Sequence, residues 1–447
     1  MSDKISIIHR SLKIRLYPDE NQKILLNKTF GCCRLLYNER LAEHIEWYNA
    51  NKDLPKDQRN KFKGKLPKQL REEKYEFLSD AIAEPLIQSQ RNCEQAFSNF
   101  FKSITKQRKG KKVGFPKFKS KKQHKDSFSL FMLPKNCLDW DHRLVTIPKL
   151  KQVRFRHAED KSKKWISWFK EAIPKHMTIS KNACGEYWCS ILFEKEQDVY
   201  STIKLDKAIG LDFSPNSLYI NDLNEEAPNF KKAKQENNRK LTRLQRRLAR
   251  KQKDSKNREK ARIKLARFEN HIANIRKDYR EKETLRLVQN YDVIGIEDLN
   301  LRGMMKFSHN AKNYVDTSWY TFVTRLEQKA KFNNCLVIKS DRFYPSSKTC
   351  NHCGYVNKEL TLKDRVWICP ECGTKIIRDQ NAAQNLKENA IRILVDDLKS
   401  TLLLEQQEVM SMEDMEINLC NSEICGVSYE VENQSGDALK RSSSVFS

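Results

Sequence analysis

Two Cys-x-x-Cys pairs, Cys350/Cys353 and Cys369/Cys372, stand with fifteen residues between them in the last third of the chain. Four thiolates at this spacing satisfy tetrahedral zinc, and the signal is strong. Gly354 and Gly373 directly follow the second cysteine of each pair and permit the tight turn that brings both thiols to one ion. Residues 346–374 are therefore expected to fold as a zinc ribbon. A site closed by four cysteines has no open position for water, so the zinc is expected to be structural. The chain holds thirteen cysteines, an odd number. The other nine are read as ordinary buried or loop residues rather than a disulfide framework. The polar, basic start has no apolar leader, which points to a reducing, cytoplasmic setting.

Charge narrows the partners. The net charge of the 447 residues is +27, and residues 401–447 alone hold nine acids against two bases. The rest of the chain is thus more basic than the total indicates, and nucleic acid is the usual partner of such a body. No run of about 20 apolar residues exists to span a membrane. The cations concentrate in two places. Residues 106–125 form a lysine-rich stretch with interleaved Phe115, Pro116 and Phe118, in which Lys109, Lys111, Lys112, Lys117 and Lys119 are candidate nucleic-acid contacts. Residues 231–282 hold 21 bases and 6 acids around one apolar stripe, Leu241, Leu244, Leu248, Phe268, Ile272 and Ile275. That is the pattern of a helical hairpin with cationic faces, and Arg243, Arg246, Arg247, Arg250 and Lys251 are its candidate contacts.

The hydropathy pattern predicts a strand over 5–17 and a helix opened by Pro18-Asp19-Glu20. Helices follow to about 105, interrupted near 50–68, then β-structure over 128–200 with a hairpin turn at 182–186. Short apolar strands are predicted at 208–213, 217–220, 293–297 and 335–338. Helices are predicted over 319–332 and from about 379 onward. The acidic, serine-rich tail from 399 to 447 is expected to stay without fixed structure.

Asp212 and Glu297 each sit at the end of an apolar strand, and Asp379 sits at a helix start. Singly, each reads as a loop acid or a helix cap. If the strands share a sheet, the three converge, and clustered carboxylates need cations between them. Hard oxygen ligands suit Mg2+ or Mn2+, and a pair of such ions supports phosphodiester hydrolysis.

Four segments carry a resemblance: Ile209-Gly210-Leu211-Asp212-Phe213-Ser214, Gly295-Ile296-Glu297-Asp298-Leu299-Asn300-Leu301-Arg302-Gly303-Met304, Tyr344-Pro345-Ser346-Ser347-Lys348-Thr349-Cys350, and Arg378-Asp379-Gln380-Asn381-Ala382-Ala383-Gln384-Asn385. With Phe30-Gly31-Cys32-Cys33-Arg34-Leu35-Leu36-Tyr37-Asn38, they make the chain resemble the TnpB family over about residues 5–395. These are transposon-encoded RNA-guided nucleases, similar in their nuclease half to type V CRISPR effectors.

The resemblance implies a multidomain α+β protein. An RNase H-like (RuvC) α/β nuclease domain would cover 204–345 and 375–398, with the basic hairpin at 231–285 and the ribbon at 346–374. A wedge-like β-barrel would comprise 1–19 and 126–203, and a helical recognition lobe 20–125. It further implies Asp212, Glu297 and Asp379 as a metal-binding catalytic triad. A guide RNA from the transposon end and double-stranded target DNA, cut beside a short adjacent motif, would be the partners. The compartment would be a prokaryotic cytoplasm, at the nucleoid. The family's frequent aspartate two residues before the last acid is replaced here by Ile377, and Phe213-Ser214-Pro215 replaces a glycine-bearing turn. A miniature type V effector, a DNA-strand-transferring transposase and an RNA-guided repressor are the alternatives; the ribbon's place and the complete triad favour the guided nuclease.

Overall fold

The computed structural model describes residues 5–55, 58, 61–108, 110–123, 126–156, 164–198, 201–307, 311–361, 363–411 and 427–430. The chain divides into two compact units: Ile5–Gln197 with Arg262–Arg267, and Asp198–Ala261 with Phe268–Ser447.

The first unit opens on strand β1 (Ile5–Tyr17), whose buried Ile8, Leu12, Ile14 and Leu16 keep the period of two that a half-buried strand requires. Helix α1 (Glu20–Asn51) starts where Asp19 caps it. The Asp19 carboxylate accepts from the Gln22 N–H at 2.8 Å, and the Gln22 amide oxygen accepts from the Asp19 N–H at 3.0 Å, a complete capping box. Helices α2 (Pro67–Glu73) and α3 (Ala83–Ile104) follow. Tyr37 and Leu41 of α1 pack on Cys93 and Phe97 of α3. Next come strands β2 (Asp126–Leu130), β3 (Leu138–Asp139), β4 (Leu144–Ile147) and β5 (Lys151–Arg156), helix α4 (Lys164–Glu171), and strands β6 (Ile173–Lys181) and β7 (Tyr187–Asp198).

The β6–β7 turn forms as its residues predict: Asn182 Oδ1 accepts from the N–H groups of Cys184 and Glu186, and Gly185 has φ +81°. The seven strands make one sheet of order β2-β6-β7-β1-β5-β4-β3. Strands β2 and β3 stand at the two ends of this order. The strands and helices of this stretch cluster as one compact unit.

The second unit holds strands β8 (Ser201–Lys204), β9 (Ala208–Ser214) and β10 (Leu218–Asn221), then helices α5 (Ala233–Glu236), α6 (Asn238–Ala249) and α7 (Lys256–Asn290). Strand β11 (Val293–Glu297), helices α8 (Leu301–Phe307), α9 (Ala311–Thr317) and α10 (Trp319–Ala330), and strand β12 (Leu336–Ser340) come next. Strands β13 (Val366–Ile368) and β14 (Lys375–Ile377), helix α11 (Arg378–Ser411) and strand β15 (Val427–Glu430) complete it. Strand β8 clusters with this unit and pairs with β15 rather than with the seven-stranded sheet.

The central sheet has the order β10-β9-β11-β12; β9, β11 and β12 run parallel and β10 antiparallel. On one face Ile209, Leu211, Ile294 and Ile296 pack with Leu287 and Val288 of α7 and with Trp319, Phe322 and Leu326 of α10. On the other, Ala208 and Val293 pack with Ala390 and Leu394 of α11. A parallel sheet covered by helices on both faces explains why its strands read as continuous apolar runs. Helix α11 runs past the expected tail boundary at 399 to Ser411, and β15 pairs in parallel with β8, Val427 opposite Ser201. The remaining tail positions, 412–426 and 431–447, lie outside the described residues.

Candidate functional site

The cysteine cluster assembles from two matching knuckles. In the first, the Cys350 carbonyl accepts from Gly354 N–H at 2.9 Å and the Tyr355 carbonyl from Cys350 N–H at 2.8 Å. In the second, the Cys369 carbonyl accepts from Gly373 N–H and the Thr374 carbonyl from Cys369 N–H, both at 2.9 Å. Gly354 and Gly373 take φ of +80° and +70°, where a side chain would be strained. The four thiol sulfurs lie within 4.8 Å of one another and could hold a metal ion. Cys350–Cys372 and Cys353–Cys369 are 3.7 and 3.5 Å apart. Sulfurs about 2.3 Å from a tetrahedral zinc would stand about 3.8 Å from each other, so the cage fits that ion. Behind it, Cys350, Leu360, Trp367, Cys369 and Ile376 form a small core of their own.

The ribbon is fastened to α11 by asparagines. Asn381, Asn385 and Asn389 recur every four residues and are 4%, 4% and 5% exposed, burial that amides tolerate only when bonded. The Asn381 amide donates to the Thr349 carbonyl at 2.7 Å, and its oxygen accepts from Asn351 N–H at 2.9 Å. The Asn385 amide donates to the carbonyls of Ser346 and Thr349, both at 2.7 Å. Asn389 donates to Ser340 Oγ at 2.9 Å. Ser346 in turn donates from its hydroxyl to Glu297 at 2.5 Å. The loop leading into the first knuckle therefore bonds α11 on one side and a strand-end carboxylate on the other.

The alternation of the strands explains where the acids go. Ala208, Gly210 and Asp212 share one face of β9, and Val293, Gly295 and Glu297 share the same face of β11. Gly210 and Gly295 are register partners. A Cβ on Gly210 would lie 1.7 Å from the Ala383 carbonyl oxygen, and one on Gly295 2.2 Å from that of Leu386. The paired glycines thus form a notch that lets the backbone of α11 lie directly on the sheet. Two residues beyond the notch, Asp212 and Glu297 emerge side by side on the face that α11 covers, and Asp379 is in the first turn of that helix.

The electrostatics follow from this packing. Burial, then the charges of Glu297 and Asp379, push the Asp212 carboxyl well above its usual range; the Arg378 charge and a bond from Phe213 N–H oppose the shift. Burial also raises Glu297, against the Ser346 hydrogen bond. Asp379 is turned toward two guanidinium groups, Arg365 at 2.9 Å and Arg378 at 2.8 Å. Among the described residues, the four cysteines are the only group of three or more His, Cys, Asp or Glu side chains gathered closely enough to hold an ion; the three carboxylates interact but are not drawn into such a set.

Of the expected basic contacts, Arg243, Arg246, Arg247, Arg250 and Lys251 all line one groove of about 800 Å3 along α6, together with Asn238, Arg239 and Thr242. The helix turns Leu241 and Leu244 inward and its arginines outward. Lys111, Lys112 and Lys117 are exposed, and Lys109 lies outside the described residues. Lys119 is exposed as well, with its ammonium 3.8 Å from the centroid of the Tyr37 ring and its pKa lowered by partial burial. Sequence reasoning gave Gly210, Gly295, Ser346, Arg378, Asn381 and Asn385 no role beyond their place in the resembling segments, and did not single out Arg365 or Asn389. The one signal for the asparagines was their four-residue spacing.

Three family comparisons match parts of the chain. Residues 319–386 match the Cas12f1-like TNB domain, 190–308 a family described as "Probable transposase", and 6–53 a helix-turn-helix domain. That last segment is here a strand followed by the single continuous helix α1. A "Putative RNA-guided DNA endonuclease" of Streptomyces pristinaespiralis is 32% identical over 85% of this chain and 89% of its own length. InsQ of Escherichia coli K12, with the same description, is 29% identical over 84% and 91%. A TnpB-like protein, L770 of Acanthamoeba polyphaga mimivirus, is 23% identical over 84% and 72%. The solved Cas12f1-sgRNA-target DNA complex aligns at 11% identity and a TM-score of 0.47, covering 85% of this chain and 99% of that one. No helix among the described residues is long and apolar enough to cross a membrane. With the ribbon, the strand-end acids and the identity across most of its length, this chain belongs to the TnpB family.

Proposed function

We propose that the chain is an RNA-guided DNA endonuclease whose RNase H-like unit cuts target DNA at Asp212, Glu297 and Asp379. The observation that supports this reading is that two acids share one face of adjacent parallel strands and interact with a third at the start of α11, all three from distant segments. Charged groups brought together at such cost to the folded state are characteristic of a reaction centre. The donor set fits a hard divalent cation: carboxylate oxygens alone, two of them disfavoured as bare anions by burial. Asp212, Glu297 and Asp379 would hold Mg2+ or Mn2+, which when bound supplies an activated water and polarises the phosphodiester.

The chain's own residues do the rest. Ser346 orients Glu297, and Arg365 and Arg378 balance Asp379 until it is needed as a ligand. The arginine groove of α6 and Lys111, Lys112 and Lys117 hold phosphates without reading sequence. Specificity then comes from guide pairing and a short motif beside the target. Zinc in the four-cysteine cage keeps the ribbon folded, and the protein works at the nucleoid of a prokaryotic cytoplasm.

The reading is tested by expressing the chain with its flanking DNA and sequencing the RNA that copurifies. One RNA class from the 3′ flank, programming Mg2+-dependent cleavage that Asp212→Ala abolishes without loss of RNA binding, is the expected result. Spacer-bearing RNA would move the assignment to a CRISPR effector. Cleavage or strand transfer without any RNA would overturn the guided reading.

A further inference from the structure

A second cavity in the sheet-bearing unit, about 330 Å3, opens between α7 and the segments around residues 230 and 316. It falls at the small end of the range for ligand pockets, roughly 300–1,000 Å3. One wall is aromatic, with Phe230 and Tyr279 meeting edge to face at 5.4 Å. Its rim is cationic. Arg276 and Arg280 stand one helical turn apart, and burial together with the Arg276 charge lowers the Arg280 pKa.

The carboxylates nearby are already engaged. Asp316 accepts from the N–H groups of Lys234 and Gln235 at 3.1 and 3.0 Å, leaving Arg276 at 3.9 Å. Asp278 bonds Lys282 at 2.7 Å. The Glu283 carboxylate is taken by Tyr219 and Arg286. Two donors of the cavity are buried without any hydrogen-bond partner, the Tyr279 hydroxyl and Arg276 Nε. Each can be met by water or by a polar ligand seated in the cavity.

We propose that this cavity seats one nucleotide of a DNA strand, its phosphate on Arg276, Arg280 and the Tyr279 hydroxyl and its nucleoside on the Phe230–Tyr279 wall. Aromatic stacking plus guanidinium contacts is how single strands are held irrespective of sequence. The cavity is tied to the carboxylate end of the sheet by neighbouring bonds. Lys232, beside the cavity residue Lys231, donates to Asn216 Oδ1 at 2.9 Å in the turn after Asp212. Tyr314, two residues before Asp316, stacks on Phe213 at 5.7 Å. A strand anchored here leads toward the acids. This deepens the nuclease reading and rests on it for the identity of the strand.

The test is photocrosslinking of the full-length protein to single-stranded DNA bearing 5-iodouracil, with the attached peptide mapped by mass spectrometry. The expected crosslink falls on Tyr279 or Phe230, and is competed by unlabelled oligonucleotide but not by equimolar inorganic phosphate. Arg280→Gln should lower its yield roughly tenfold, the size of one lost charge-assisted hydrogen bond. Tyr279→Phe, which keeps the ring packing, should lower it less. Crosslinks that map elsewhere, or a yield unmoved in both variants, overturn the proposal. Equal competition by phosphate overturns the nucleotide in favour of a free-anion site. The yield should survive in Asp212→Ala, so an active Asp212→Ala enzyme with an intact crosslink would defeat the active-site assignment and leave the cavity standing.

Discussion

The cysteine cage and the carboxylate cluster lie in one unit and are built in opposite ways. The cage draws its four ligands from residues 350–372, a segment with two self-contained turns and a small core of its own. Little chain entropy is spent in closing it, because the loop between the pairs is short. The carboxylates come from residues 212, 297 and 379 and come within electrostatic reach of one another where α11 lies in the notch at Gly210 and Gly295. The cage gathers groups that an ion would bind strongly. The cluster gathers groups that repel, held together by packing elsewhere. One is a stabilising device and the other is a burden that the sheet carries.

Four experiments sharpen or break that contrast. Cys369→Ser should reduce zinc content from about one ion per chain to almost none and open residues 346–374 to proteolysis, since structural zinc contributes on the order of 10 kcal/mol to such modules. Full zinc content in that variant, measured by elemental analysis, would end the description of the cage as a closed four-thiolate site. Gly210→Val places carbon where the Ala383 carbonyl stands, and should cost about 3 kcal/mol in urea unfolding. An unchanged midpoint would mean that α11 does not lie in the notch.

Asn385→Ala removes the donor to the Ser346 and Thr349 carbonyls and should cost about 2 kcal/mol. Faster hydrogen exchange at 346–351, with zinc retained, would show that the clamp is separate from the cage. Asp212→Asn should act with the opposite sign. Relieving one buried like charge, in protein dialysed free of Mg2+ with its zinc retained, should raise stability by about 1 kcal/mol while cleavage is lost. A lowered melting temperature would mean that the cluster is not a burden.

Much of this was legible beforehand, for physical reasons specific to each element. Strand β1, the capping box at Asp19 and the turn at Asn182 announce themselves through local periodicity and hydrogen bonding. The short helices α4, α8 and α9 did not, because seven or eight residues make too weak a helix to show a pattern without the contacts that hold them. Lys119 looked like its neighbours in the basic stretch. Only the placement of Tyr37 sets an aromatic ring 3.8 Å from its ammonium. Ile377, at the position where an aspartate is frequent in the family, is an exposed residue on β14. Asp379 itself is ion-paired with Arg378 beside it and Arg365 across the hairpin.

By itself, then, the sequence determined what can be decided over a few residues: the thiolate cage, the strands and helices with strong periods, the cationic face of α6 and the chemical nature of three acids. The tertiary structure alone decided which acids meet, what they meet, and what restrains them. The period of two put Gly210 with Asp212 and Gly295 with Glu297 on one face, but it took the descent of α11 to make that face a site. The physical reason is range. Hydrogen-bonded turns and metal ligation act within a short segment. Close packing and charge repulsion between residues far apart in the chain exist only once the chain has folded.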